Sequence, residues 1–429
     1  MRIQWRTTFV IAAWLVTSLA AFAQTSRDDI RETPCLSASN YLAYPGPLQQ
    51  QLTPAPSGYE PCYISHYGRH GSRFLIDTMD YVRPITILKK ADGEGVLTQK
   101  GREVLTKIQQ MYDESRKRWG ELTLLGAEQH RDIARRMMER FPEVFRNDAV
   151  VDARSTVVIR CILSMTNELL QLQMMNPQLR IKHDASEFDM YYMNQPDKHI
   201  DSIRKQSDRK KILEQWDKQH LHPARVMDEL FTQKDYIGEG KEANKLYHEL
   251  FQLASIVQNS EIRHSLTLYD LFTNDELYEI WQRENVRWFL SYGNTSITKN
   301  AAPFSQRNLL RNIILTADSC LQQPVPGATL RFGHETMVMP LTCLMELDDF
   351  GKQIDDVSTL EKEGWLNYRI FPMAANVQLV FYRHEGEPVL VKVLLNENET
   401  RLPLQAVTGP YYRWEDVRAY YLKKLDSYQ

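Results

Sequence analysis

Apolar positions along this chain follow two different repeats. At 62–67, Cys62-Tyr63-Ile64-Ser65-His66-Tyr67 forms a short dense run that stops at Gly68, the pattern of a buried strand. Residues 98–118 and 127–141 carry helical spacing instead, the second through Ile133, Ala134, Met137, Met138 and Phe141. A short strand is predicted at 149–153 and a helix at 157–175. Pro and Gly cluster at 45–61, which reads as an irregular lead-in. From about 184 to 300 the pattern changes. Long helical repeats at 203–217, 241–258 and 267–283 run through Lys, Glu, Asp, Gln and His with no strand run. Strands return at 328–333, 377–384 and 389–395, the last two as a hairpin around Glu385-Gly386-Glu387. Helical pattern at 304–322 and 335–347 flanks the first of these. The expectation is an α/β core in two pieces, 30–183 and 301–429, split by a helical cap insertion at 184–300.

The first 23 residues read as a signal peptide outside this fold. Arg2 and Arg6 precede an uncharged apolar stretch that closes on Ala21-Phe22-Ala23, the small-x-small pattern of a cleavage site. The stretch is short for a bilayer span, so the mature chain is expected to be exported, periplasmic or extracellular, without a membrane span. Removing it takes two positive charges away, moving the net charge from −3 to −5. With 52 basic against 55 acidic side chains, no bulk charge draws the protein to nucleic acid. Any anion must therefore be held by a local cluster. Five cysteines, an odd number at scattered spacing, match no zinc pattern and leave room for one or two disulfides.

Three segments carry chemistry. Arg69-His70-Gly71-Ser72-Arg73 follows the strand at 62–67, where open α/β sheets place their ligands. Guanidinium groups match phosphate bidentately, and an imidazole between them can attack phosphorus and carry the phosphoryl group. The second segment is Arg154-Ser155-Thr156 with Arg160 and Ser164, a strand end leading into a helix N-terminus. In the third, Arg331-Phe332-Gly333-His334-Glu335-Thr336, His334 can bind a phosphate oxygen and Glu335 can protonate a leaving alcohol. Taken singly, each segment also reads as a solvated turn or a local salt bridge. Lys89 and Lys90 are candidates for a rim that holds further phosphates. Arg131, Arg135, Arg136 and Arg140 read better as a solvated helix face.

Together these segments resemble the histidine acid phosphatases, most closely the multiple inositol polyphosphate phosphatase and phytase branch. The stretch Gly120 to Gln129 resembles the family's Leu-Thr-x-x-Gly-x-x-Gln segment, and 154–164 its Arg-x-Ser…Arg…Ser segment. Pro372 to Asn376, Phe381-Tyr382 and Leu394 to Glu397 resemble the inositol phosphatase C-terminal region. The resemblance spans about 60 to 405. It implies a phosphoglycerate-mutase-like core sheet flanked by helices, with an inserted cap. It further implies His70 as a nucleophile forming a phosphohistidine, Arg69, Arg73, Arg160 and His334 as the phosphoryl clamp, Glu335 as the proton donor, and no metal or other cofactor. Arg154 is expected to contact substrate or support the clamp.

The chain departs from the family in one place. Other members carry His-Asp, or His-Ala-Glu in the inositol polyphosphate branch, whereas here Glu335 directly follows His334. An acid in the first turn of a helix is stabilised as a carboxylate, which opposes proton donation. The expected partner is a phosphorylated small molecule of the inositol phosphate class. Broad action on small phosphomonoesters, and binding of a phosphate ester without turnover, are the alternatives.

Overall fold

The computed structural model describes residues 25–194, 197–238 and 240–428, so the signal peptide expected at 1–23 lies outside the described residues. One mixed sheet organises the chain, with strand order β3-β2-β4-β1-β5-β6-β7 and β8 on β6. Its strands are β1 (Glu60–Arg69), β2 (Val150–Ser155), β3 (Arg180–Ala185), β4 (Gly327–Gly333), β5 (Asn376–Arg383), β6 (Leu390–Leu395), β7 (Asn398–Thr400) and β8 (Tyr412–Arg413). β3, β2, β4 and β1 run parallel; β5 turns antiparallel on β1, and β6 on β5. The expected α/β class is what the structure has.

β1 and β4 sit at the centre and are buried along nearly their whole length, which is why both read as dense apolar runs. On one sheet face, Ile133, Met137, Leu169 and Leu172 from helices Leu124–Arg140 and Ile159–Met175 pack on Ile64, Val151, Ala153 and Leu330. On the other, Leu309, Ile313, Met337, Leu341 and Val417 cover Tyr63, Val377, Phe381 and Val391. The aromatic C-terminus docks there, with Tyr412, Trp414 and Tyr421 buried. β3 carries the exposed sequence Arg-Ile-Lys-His-Asp-Ala at a sheet edge, so no apolar run announced it.

A third apolar cluster joins distant parts of the chain. Tyr81, Leu88, Val104 and Ile108 from helices Met79–Gly93 and Gln99–Ser115 pack against Leu246, Leu250, Leu277 and Trp281 from helices Lys241–Ile256 and Asn274–Tyr292. Two of the predicted helices have different limits. The repeat at 203–217 is two helices, Lys198–Gln206 and Arg209–His220, broken at Ser207 and Asp208. That at 267–283 begins only at Asn274, where Thr273 and Glu276 form a capping box, and runs on to Tyr292. All five cysteines are free, so none of the one or two disulfides that their number allowed is present. Among the described residues, no helix is long and apolar enough to cross a membrane.

Candidate active site

The C-terminal ends of the two central strands meet at His70. Its backbone N–H donates to the Gly333 carbonyl that ends β4 (2.9 Å), and its carbonyl accepts from the Ala374 N–H (2.9 Å). The ring is held as well, with Nδ1 2.9 Å from the Gly71 carbonyl. A carbonyl can only accept, so Nδ1 carries the proton and Nε2 keeps its lone pair. That Nε2 is buried and has no hydrogen-bond partner. Burial holds the imidazole well below its ordinary pKa, so it is neutral and able to attack.

A clamp of glycines and capping groups fixes the segment after His70. A Cβ on Gly71 would lie 2.4 Å from the Gly126 carbonyl oxygen, so the two chains pass where only glycine fits. Thr123 caps helix Leu124–Arg140 by accepting from the Gly126 N–H, and its hydroxyl donates to the Ser72 carbonyl (3.1 Å). Gln129 accepts from the Ser72 N–H (2.9 Å), and Ser164 accepts from the Gly71 N–H (3.1 Å). The Ser72 hydroxyl donates to Asn259 (2.6 Å), a residue from the helical stretch that no sequence signal tied to the site.

Around the imidazole stand three guanidinium groups. Arg69 spends Nη1 on the Asn40 and Phe371 carbonyls (both 2.8 Å). Arg73 donates from Nη1 to the Phe74 carbonyl (2.9 Å), and Arg160 reaches the Gly120 carbonyl at 3.4 Å. With Arg69 Nε facing the Glu335 carboxylate, what remains is a set of buried donors without hydrogen-bond partners: Arg69 Nη2, Arg73 Nε and Arg160 Nε. Burial pushes Arg69 down to about 10, still charged at neutral pH, and burial with Arg73 beside it lowers Arg160. Unpaired buried cationic donors are costly, and an anion with several acceptor oxygens would satisfy them.

His334 and Glu335 close the cluster from the start of helix Glu335–Leu344. The His334 ring meets the His70 ring edge to face at 5.7 Å, and burial lowers it to about 4. Glu335 Oε2 lies 3.2 Å from Arg69 Nε and 3.6 Å from His70 Nε2. Burial by itself would raise this carboxyl, but the Arg69 guanidinium foremost, with Arg73 behind it, holds it well below the usual carboxylate range. His70, His334 and Glu335 present ligand atoms within 4.8 Å of one another, spacing that a cation could bridge. Three guanidiniums in the same pocket oppose a cation and favour an anion.

Six of the expected site residues are therefore brought together: Arg69, His70, Arg73, Arg160, His334 and Glu335. Three are not. Arg154 lies in register with Arg331 and is held by Asp152 (2.5 Å) and Asp189 (3.4 Å), lining a separate cavity of about 710 Å³. Lys89 and Lys90 are exposed near the far end of helix Met79–Gly93, roughly 15 Å along its axis from its start, with Lys90 near Glu94 (3.8 Å). The helix face of Arg136 and Arg140 is not simply solvated either, since Arg136 grips the buried Glu397 (2.8 and 2.7 Å).

The fold has counterparts among solved structures. The multiple inositol polyphosphate phosphatase of Bifidobacterium longum, in complex with inositol hexasulfate, superposes with a TM-score of 0.75 at 17% identity, covering 89% of this chain and 96% of its own. The phytase from D. castellii gives 0.67 at 13% identity, covering 92% and 85%. The apo phytase of Hafnia alvei gives 0.52 at 13% identity, covering 86% and 98%. At such identities the likeness is one of fold. No curated protein matches the sequence. The family model of the histidine phosphatase superfamily, branch 2, matches residues 68–396, most of the chain. This phosphatase therefore belongs to the histidine phosphatase superfamily, branch 2.

Proposed function

We propose that the chain is an exported phosphomonoesterase that hydrolyses inositol polyphosphates through a phosphohistidine on His70. The observation that carries the chemistry is the state of its ring: Nδ1 is committed to Gly71, while Nε2 is neutral and unpartnered among unspent guanidinium donors. Nε2 attacks phosphorus as the P–O bond to the leaving alcohol breaks. Arg69, Arg73, Arg160 and His334 hold the equatorial oxygens, where charge stabilisation does most of the work. Water then attacks the phosphohistidine, giving its proton to the Glu335 carboxylate as the P–N bond breaks, which releases phosphate and restores Nε2.

Glu335 supplies the proton to the leaving oxygen. In the free enzyme it is ionised because it faces unneutralised cations. A bound phosphate neutralises those cations, which removes what holds the carboxyl low and lets burial raise it into the donor range. The inositol polyphosphate reading is supported by the sequence resemblance and by the Bifidobacterium longum phosphatase, whose fold this chain shares. Export is supported by the signal-peptide pattern of residues 1–23.

The test is phosphate release from inositol hexakisphosphate by wild type and His70→Ala, with the acid-quenched enzyme assayed for labelled phosphohistidine. Wild type is expected to release phosphate and trap label, and His70→Ala to do neither. Undiminished hydrolysis by His70→Ala would remove His70 from the mechanism. Equal wild-type rates on aryl phosphates and inositol hexakisphosphate would favour broad specificity.

A further inference from the structure

Segment 371–375 supplies much of what holds Arg69 and His70. The Phe371 carbonyl accepts from Arg69 Nη1 (2.8 Å), and the Ala375 carbonyl accepts from the Arg69 N–H (2.7 Å). The Ala374 N–H donates to the His70 carbonyl (2.9 Å). The segment turns tightly, with the Ala375 N–H donating to the Pro372 carbonyl (3.1 Å). Inside that turn Ala374 has a φ of +56°, where glycine is usual and a Cβ is a strain. Backbone strained in this way persists only where its surroundings hold it.

One side chain holds both ends of the segment. Asn396 Oδ1 accepts from the Asn376 N–H (3.0 Å), just after it. Asn396 Nδ2 donates to the Arg369 and Ile370 carbonyls (2.9 and 3.2 Å), just before it. The Asn396 backbone N–H adds a bond to the Asn376 carbonyl (2.8 Å). The side chain is buried, and its amide fits one way only, because an N–H requires the oxygen and two carbonyls require the NH₂ group.

A stiff turn aims Asn396. It and Glu397 are the two residues between β6 and β7, where Leu395 pairs with Asn398, and their φ values are +51° and +63°. Hairpin turns with two positive φ angles favour Asn followed by Gly. Glu397 stands at the glycine position, with its buried carboxylate accepting from the Tyr44 hydroxyl (2.8 Å) and from Arg136. That hydroxyl accepts from Asn376 Nδ2 (3.3 Å), which also donates to the Ala374 carbonyl (3.2 Å). The turn is thus tied to the segment at a second point.

We propose that Asn396 is a positioning residue for His70 and Arg69, acting through segment 371–375 rather than on the substrate. The inference rests on the reading of His70 as the nucleophile. Attack is efficient only when the ring nitrogen is held in line with phosphorus, and an error of about 1 Å is costly. Without the amide both ends of a strained turn are released, and the backbone that aims the ring moves with them.

The experiment follows 4-nitrophenol release in a single turnover, with enzyme in saturating excess over 4-nitrophenyl phosphate. The rate constant then reads attack on phosphorus, and an unfolded fraction of the enzyme leaves it unchanged. Asn396→Gly suits the left-handed backbone and removes the amide, and its rate constant is expected to fall by about tenfold or more. An unchanged rate constant, whatever happens to Tm, makes the amide purely structural and overturns the proposal. Release by His70→Ala at the wild-type rate overturns the nucleophile reading instead. Should Asn396→Gly fail to fold, Asn396→Asp, which keeps the acceptor and loses the donor, is read in the same way.

Discussion

The carboxylate of Glu335 lies 3.6 Å from His70 Nε2 and 3.2 Å from Arg69 Nε, between the ring nitrogen and the guanidinium nearest it. On the proposed mechanism this carboxylate must move away from Nε2 before a substrate phosphorus can reach it. In the Glu335→Gln variant, kcat on inositol hexakisphosphate is expected to fall roughly 10²- to 10⁴-fold, the usual span for losing a general acid. The loss on 4-nitrophenyl phosphate, whose leaving group needs little protonation, is expected to be far smaller. Equal losses on both would rule out proton donation.

Displacement also has a proton signature. Glu335 is ionised in the free enzyme because the Arg69 and Arg73 guanidiniums outweigh its burial. Neutralising those groups raises its pKa, so binding a phosphate analogue near pH 5 takes up a proton. Calorimetry in buffers of different ionisation enthalpy should register that uptake, and Glu335→Gln should abolish it. Binding without uptake in the wild type would mean the acid stays charged.

Acid should destabilise the fold before it reaches ordinary carboxylate pKa values. Burial lowers His334 and His248 to about 4, against about 6.5 when unfolded. A lowered folded pKa means full stability above the unfolded value. Between pH 6.5 and 4 the unfolded chain binds protons that the native one refuses, so stability falls as pH falls. Thermal unfolding at pH 7, 5.5 and 4 is expected to show Tm dropping at each step. A flat Tm from 6.5 to 4.5 would contradict it.

Gly71→Ala places a methyl 2.4 Å from a backbone oxygen that cannot rotate away. The expected cost is about 1–3 kcal/mol of stability. A shift of about 1 Å in the His70 ring further lowers kcat on the order of a hundredfold. Tm and kcat measured together check both, and a fully active, equally stable variant would show that the clamp is loose.

Arg160→Ala and Arg154→Ala separate two arginines that lie six residues apart. Arg160→Ala is expected to cost roughly 10²-fold or more in kcat/KM, the scale of losing one charge-stabilising donor. Arg154→Ala is expected to leave kcat/KM within about threefold and instead lower Tm, since Asp152 and Asp189 lose their partner. Similar losses of kcat/KM in both variants would contradict the separation.

Much of the site was legible because its chemistry is local. Arg69, His70 and Arg73 share one turn after a strand, and His334 and Glu335 share another, so strand ends and residue types sufficed. The core strands were legible for a related reason, since burial on both faces leaves an unbroken apolar run. Where the pattern was weak, the reading failed in recognisable ways. The edge strand Arg180–Ala185 is polar, and helix Met79–Gly93 carries Pro84 in its interior, which breaks the usual signal.

By itself, then, the sequence determined the α/β class and picked out His70, Glu335 and the arginines Arg69, Arg73 and Arg160 as the residues proposed for attack, proton donation and the clamp, because each sits in a short segment whose backbone aims it. Only the tertiary structure decided that Arg154 is taken up by Asp152 and Asp189, that Lys89 and Lys90 lie exposed late in helix Met79–Gly93, and that Asn259 reaches the Ser72 hydroxyl. Charged side chains look alike in a sequence whether they meet an acid, water or a substrate. Which of these they meet depends on contacts between segments hundreds of residues apart, and those are set by packing of the apolar core.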